Sequence, residues 1–201
     1  DDLIDRLKAA SRAEVDQRHP QVSEADRARM AHAIAIGALR YFLLRFARNT
    51  VIAFDFNDAL SFEGETGPYC QYAVVRARNI FRKLAEKEGR ERATGFAGSM
   101  KTEELEPFLA APEGNELWEM VLLAGSLGAT VRAALGAQEP AFVAKYAFQL
   151  AQAFNNFYHK HHILSEENPA RKTFLLALSN LVEWQLVRAL GLLGIEAPEK
   201  M

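Results

Sequence analysis

A chain of 201 residues with 49% hydrophobic content can bury a sizeable core, as one large domain or one domain with an appendage. A net charge of −2 and an isoelectric point near 6.3 exclude a strongly basic, indiscriminate polyanion binder but leave room for a local basic stripe. The single Cys70 has no intramolecular partner, which suits a reducing, cytoplasmic setting. The most apolar stretch, 174–193, is broken by Asn180, Glu183, Gln185 and Arg188, so no membrane contact is expected. The chain starts on Asp1 rather than Met, which reads as a piece of a longer protein.

In chain order, residues 1 to about 18 form an amphipathic helix with Leu3, Ile4, Leu7, Ala10 and Val15 on one side, and His19-Pro20 ends it. Ser23 is a fitting N-cap for a second helix, with Glu24 and Asp26 in its first turn, running to about residue 46. Residues 51–56, Val-Ile-Ala-Phe-Asp-Phe, form the best strand candidate: β-branched and aromatic, bounded by Asn49 and Asn57. From Pro68 onward the pattern is helical. One helix spans about 69–87, and a glycine-containing loop covers 89–101. Helices follow over about 113–124, 128–135 and 140–162. Asn168-Pro169 opens the last long helix, with an N-cap followed by proline at the first position. Gly191, Gly194 and Pro198 loosen and stop its end.

The densest chemistry lies in Gly64-Glu65-Thr66-Gly67-Pro68-Tyr69-Cys70-Gln71-Tyr72-Ala73, a rigid turn directly ahead of a helix. At about 100° per residue, Cys70, Ala73, Val74, Ala77, Ile80, Phe81 and Leu84 share a core-facing arc. Tyr69, Tyr72, Arg76, Asn79 and Lys83 share the adjoining one, as an aromatic and basic stripe. Flat rings beside cations suit single-stranded nucleic acid, which offers bases to stack and phosphates to neutralise. By spacing alone, the plainer reading is a loop-to-helix start with tyrosines at the core margin.

The same stretch closely resembles the Thr-Gly-Pro-Tyr-x-Gln-Tyr signature of arginyl-tRNA synthetases. Phe62, Gly64, Thr66, Gly67, Pro68, Tyr69, Gln71, Tyr72, Ala73 and Arg76 stand where that family has them. Residues 37–44, 54–56, 151–158 and the ending Leu193-Gly194-Ile195-Glu196 with Met201 are also similar, so the resemblance covers essentially the whole chain. The family usually has histidine where Val74 stands, and the wheel turns Val74 to the core.

The resemblance implies a mainly α fold: a helical bundle of the class I synthetase anticodon-binding type with a short N-terminal α/β remnant. Residues 1–63 would be the end of the catalytic region and 64–201 the anticodon-binding domain. It implies tRNA(Arg) as partner, together with a catalytic domain of the same chain, and no DNA. Recognition of the central cytosine of arginine anticodons would, by the resemblance, fall to Tyr69, Tyr72, Tyr158 and Met201. Beside it, polar edges for base discrimination are expected from the Gln71 side chain or the backbone near residues 64–68, and cationic contacts from Arg76 and Lys83 of the stripe. No His-Ile-Gly-His or Lys-Met-Ser-Lys-Ser type motif occurs in the sequence. No catalytic residue or cofactor is therefore expected in this piece, ATP and magnesium belonging to the parent arginine–tRNA ligase. The alternatives are a helical protein–protein module using Tyr69 and Tyr72 as hot spots, or the anticodon domain of a cysteinyl or glycyl synthetase.

Other features read blandly. His159, His161 and His162 lack an acidic or cysteine co-ligand at suitable spacing and fit a polar helix end better than a metal site. Glu103-Glu104 and Glu166-Glu167 fit loops or helix starts, and Trp118 and Trp184 fit core or groove anchors.

Overall fold

Thr66 decides where the central helix begins. Its extended backbone leaves the hydroxyl free to accept from the Tyr69 N–H at 3.2 Å while donating to the Ser61 carbonyl at 2.6 Å. Pro68 then sits in the first turn, where a missing N–H costs nothing. The computed structural model describes residues 2–89, 102–111 and 114–201. In chain order its helices are α1 (Asp2–Arg18), α2 (Glu24–Leu44), α3 (Phe56–Leu60), α4 (Gly67–Glu88), α5 (Thr102–Leu109), α6 (Gly114–Gly125), α7 (Leu127–Ala137), α8 (Ala141–Lys160) and α9 (Pro169–Leu192).

Helix α4 is the hub, packed on α2, α8 and α9. Most of its predicted core arc is inside: Cys70, Ala73, Val74, Ala77 and Leu84 are fully buried and Ile80 nearly so, while Phe81 is partly buried at the core's margin. Each large apolar side chain sunk in this way stabilises the fold by about 1.5–3 kcal/mol. The other side of the core comes from Leu150 and Phe154 of α8 and from Leu175, Val182, Leu186 and Leu190 of α9. Tyr41 of α2 crosses into it and donates to the Ala144 carbonyl of α8 at 2.9 Å, and burial pushes its pKa up, keeping it a donor. A second, smaller cluster of Val15, Met30, Ala31 and Ile34 joins α1 to α2.

Helices α2 and α4 approach more closely than side chains ordinarily permit. A Cβ on Gly67 would overlap the Gly37 carbonyl, and a Cβ on Gly37 would stand 2.5 Å from the Gln71 amide nitrogen. Gly67 therefore requires glycine on steric grounds, since it meets backbone, while a side chain at Gly37 would displace the Gln71 amide; the contact fixes the register of the signature turn against α2.

The anticipated caps at Ser23 and Asn168 form, each side chain accepting from backbone N–H groups of its helix's first turn. Glu103 and Glu104 lie in the first turn of α5, and α6 meets α7 at a bend of 47°. Most of the loop expected at 89–101 falls outside the described residues.

Two expectations are corrected. Residues 51–55 belong to no helix or strand, and there is no strand among the described residues. Asp55 instead caps α3 by accepting from the Asp58 N–H at 2.9 Å, and Phe54 packs edge-on against Phe42 and Phe56 at 4.7 and 5.2 Å. A lone β-prone run has no ladder to join, so ring packing decides its conformation. Trp118 and Trp184 are also not core: they are 48% and 55% exposed, and Arg188 lies over the Trp184 ring at 4.5 Å.

Candidate nucleic-acid interface

Four residues after Tyr72, Arg76 occupies the next turn of α4, and across the helix pair lies Tyr158 of α8. The Arg76 guanidinium carbon is 4.8 Å from the Tyr72 ring centroid and 4.8 Å from the Tyr158 centroid, so one cation bridges two half-buried phenols. Cation–π contacts of this kind contribute about 0.5–2 kcal/mol each. The buried Asn155 accepts from Arg76 at 2.7 Å, and His159 Nε2 stands 3.4 Å from the same nitrogen. Arg76 faces no carboxylate among the described residues, so its charge is oriented without being cancelled.

A groove of about 380 Å³ adjoins this cluster, lined by Asn79, Lys83, Lys87, Tyr158, His159 and His162 and floored by Ile80 and Ile163. No carboxylate among the described residues lines it. Lys83 is exposed, and Lys87 reaches the Leu164 carbonyl at 3.5 Å. Such an opening presents amines and imidazoles to a passing phosphate chain.

On the flank, Phe62 meets Tyr72 edge-on at 6.5 Å. The loop that carries Phe62 is held by Thr66 and by Arg45, which donates to the Glu65 carbonyl at 2.6 Å. The aromatic wall next to Tyr72 is thus positioned by the signature turn itself.

The structure brings Tyr72, Arg76 and Tyr158 together and places Lys83 farther along the same side of α4. Three other anticipated residues have different surroundings. Tyr69 is half-buried against the main core, with its ring 5.5 Å from Phe148, so it does not stack with Tyr72 as a surface pair. Gln71 is fully buried. Its amide donates to the Ala33 carbonyl at 3.0 Å and to the Glu196 carbonyl at 2.6 Å, which gives it a positioning role in place of base contact. Met201 packs, with Val22 and Leu60, on the α1–α2 cluster.

Asn155 was not singled out from the sequence, and His159 was read only as part of a polar helix end. The cue is positional: Asn155 is three residues before Tyr158, so it shares a helix face with that ring. His161 is buried against the Phe157 ring at 5.1 Å, with Nδ1 3.3 Å from Arg171.

The helical bundle that follows the signature turn is the fold of an anticodon-binding domain. Residues 70–201 match the family model described as the DALR anticodon binding domain, and the chain belongs to that family. Over 196 residues it is 37% identical to the arginine–tRNA ligase of Streptococcus pneumoniae strain Taiwan19F-14, across 96% of this chain and 31% of that protein. The ligase of S. pneumoniae strain Hungary19A-6 matches to the same extent. The chain therefore spans about a third of the length of these curated relatives.

Among solved structures, the Thermus thermophilus arginyl-tRNA synthetase superposes with a TM-score of 0.81 at 29% identity, covering 100% of this chain and 32% of that one. The Plasmodium falciparum arginyl-tRNA synthetase shares the fold, with a TM-score of 0.71 at 21% identity over 100% of this chain and 32% of that one.

Proposed function

We propose that this domain reads the anticodon loop of an arginine tRNA. Unpaired loop bases stack against the Tyr72–Arg76–Tyr158 cluster, and the strand's phosphates follow the Lys83–Lys87–His162 groove. The observation that carries this reading is Arg76: a guanidinium ordered between two phenols, with no carboxylate among the described residues to neutralise it. RNA supplies both missing partners, a flat base and an anionic backbone. Stacking tolerates any base at about 1–3 kcal/mol per base, so discrimination must come from polar edges, and the loop backbone at 62–66 offers them.

The wider proposal is that the full-length protein joins arginine to its tRNA in the cytoplasm, using ATP and magnesium held by a separate catalytic domain. Anticodon contact then orients the distant acceptor end, an entropic contribution to the reaction.

Binding of an arginine-tRNA anticodon stem-loop, measured by fluorescence anisotropy at several salt concentrations, tests the reading. Affinity should fall steeply with salt and drop at least tenfold when the central anticodon cytosine is replaced. Equal affinity for all four central bases, or no binding at low salt, would refute it.

A further inference from the structure

Beside the anticodon platform lies a second cleft that the proposed function leaves unused. About 410 Å³ in volume, it runs between the C-terminal half of α1 and the segment carrying α3 and Phe62. Its walls include Phe56, Phe62 and Leu60, and its polar lining includes Ser11, Glu14 and Arg18. We propose that this cleft holds a second unpaired nucleobase from the same RNA loop, a proposal that rests on the anticodon-loop reading above.

Three observations point to a base. The first is continuity: Phe62 lines the cleft and meets Tyr72 edge-on at 6.5 Å, so one ring borders both sites, and a strand laid on Tyr72 has its next nucleotides at the cleft mouth. The second is the pairing at the rim. The Arg18 guanidinium lies over the Phe62 ring at 5.2 Å while pairing with Glu14 at 3.2 Å. A ring-stacked guanidinium is a platform on which a base can stack.

Third, the rim carries a donor fork and an acceptor pair side by side, which matches a base edge bearing both kinds of group. A phosphate would be repelled by Glu14, whereas the Lys83–Lys87 groove, with no carboxylate among the described residues, is the phosphate-compatible opening. Ser11 adds a buried hydroxyl, 3% exposed, whose Oγ has no hydrogen-bond partner among the described residues. An unmade bond at a lined cleft is a cost that a bound polar edge removes.

The test uses anticodon stem-loops carrying a single abasic nucleotide at each loop position in turn. Each is titrated against the wild-type chain and against Tyr72→Ala, Arg18→Gln and Ala10→Trp. Arg18 and Ala10 are exposed, so both cleft variants should melt as the wild type does, and the new indole at position 10 obstructs the opening. With wild type, two loop positions should each weaken binding about tenfold when abasic, the scale of a lost stack. Sensitivity at one should vanish in Tyr72→Ala. Sensitivity at the other should vanish in Arg18→Gln and Ala10→Trp while the first persists.

If only the Tyr72-dependent position exists, or if the second keeps its full sensitivity in both cleft variants, the cleft proposal is wrong and the anticodon reading stands. If no abasic position depends on Tyr72, the anticodon reading itself is wrong, and the cleft proposal goes with it.

Discussion

Arg76 and Arg78 sit two residues apart on α4 and meet opposite fates. Arg78 turns toward α9 and the chain end, pairing with Glu183 at 3.0 Å and donating to the Ala197 and Pro198 carbonyls at 3.1 and 3.2 Å. Glu199 adds a second carboxylate at 3.7 Å. Arg76 turns toward α8 and meets no carboxylate among the described residues: its partners are two phenol faces, an amide oxygen and the His159 ring. The same residue type on the same helix is thus a fastener on one face and an uncancelled charge on the other. Partner chemistry, more than exposure, separates structural from binding arginines here, since both are half-buried.

That contrast can be broken in three ways. The largest effect is expected from Arg78→Ala, which leaves Glu183 and two tail carbonyls without their donor. Loss of such a part-buried pair costs about 2–3 kcal/mol. The melting temperature should drop by roughly 5–10 °C for a chain of this size, while RNA affinity, measured below that temperature, changes little. A large affinity loss with an unchanged melting curve would erase the distinction between the two faces.

Next comes Arg76→Met, which keeps the apolar stem and removes the charge and the guanidinium plane. Stem-loop binding should weaken about 30-fold, corresponding to about 2 kcal/mol, with little loss of stability, because no carboxylate is orphaned. Severe destabilisation would make Arg76 a second fastener. The smallest effect belongs to Lys83→Ala. As a point-charge contact in the groove it should cost about threefold in affinity at moderate salt and make the salt-dependence slope shallower by about 1, without changing base preference. A slope identical to wild type would remove Lys83 from the phosphate path.

The fold was legible where a local cause suffices. Ser23, Thr66-Gly67-Pro68 and Asn168-Pro169 start helices because side-chain oxygens and proline act within one turn, and the buried arc of α4 follows from a period of 3.6. Val74 turned inward as its place on that arc requires, and it is fully buried. The strand at 51–56 misled because β-propensity describes a fit to neighbours, and the neighbours here are Phe42 and α3.

The candidate site was half legible. Tyr72, Arg76 and Lys83 lie on one side of one helix, a short-range fact. That Tyr69 would be taken by Phe148, or that Gln71 would be consumed by Ala33 and Glu196, depends on contacts 38 to 125 residues away in sequence for Gln71.

The amino-acid sequence by itself determined the helical bundle, the boundaries of its capped helices and the family signature, since all three are written in turn chemistry and residue spacing. Tertiary structure alone decided which polar groups of α4 remain open to a partner. Side chains on one arc stay equivalent until other helices arrive, and the packing of α8, α9 and the chain end brings Tyr158 to Arg76, closes carbonyls over Gln71 and places Glu183 against Arg78.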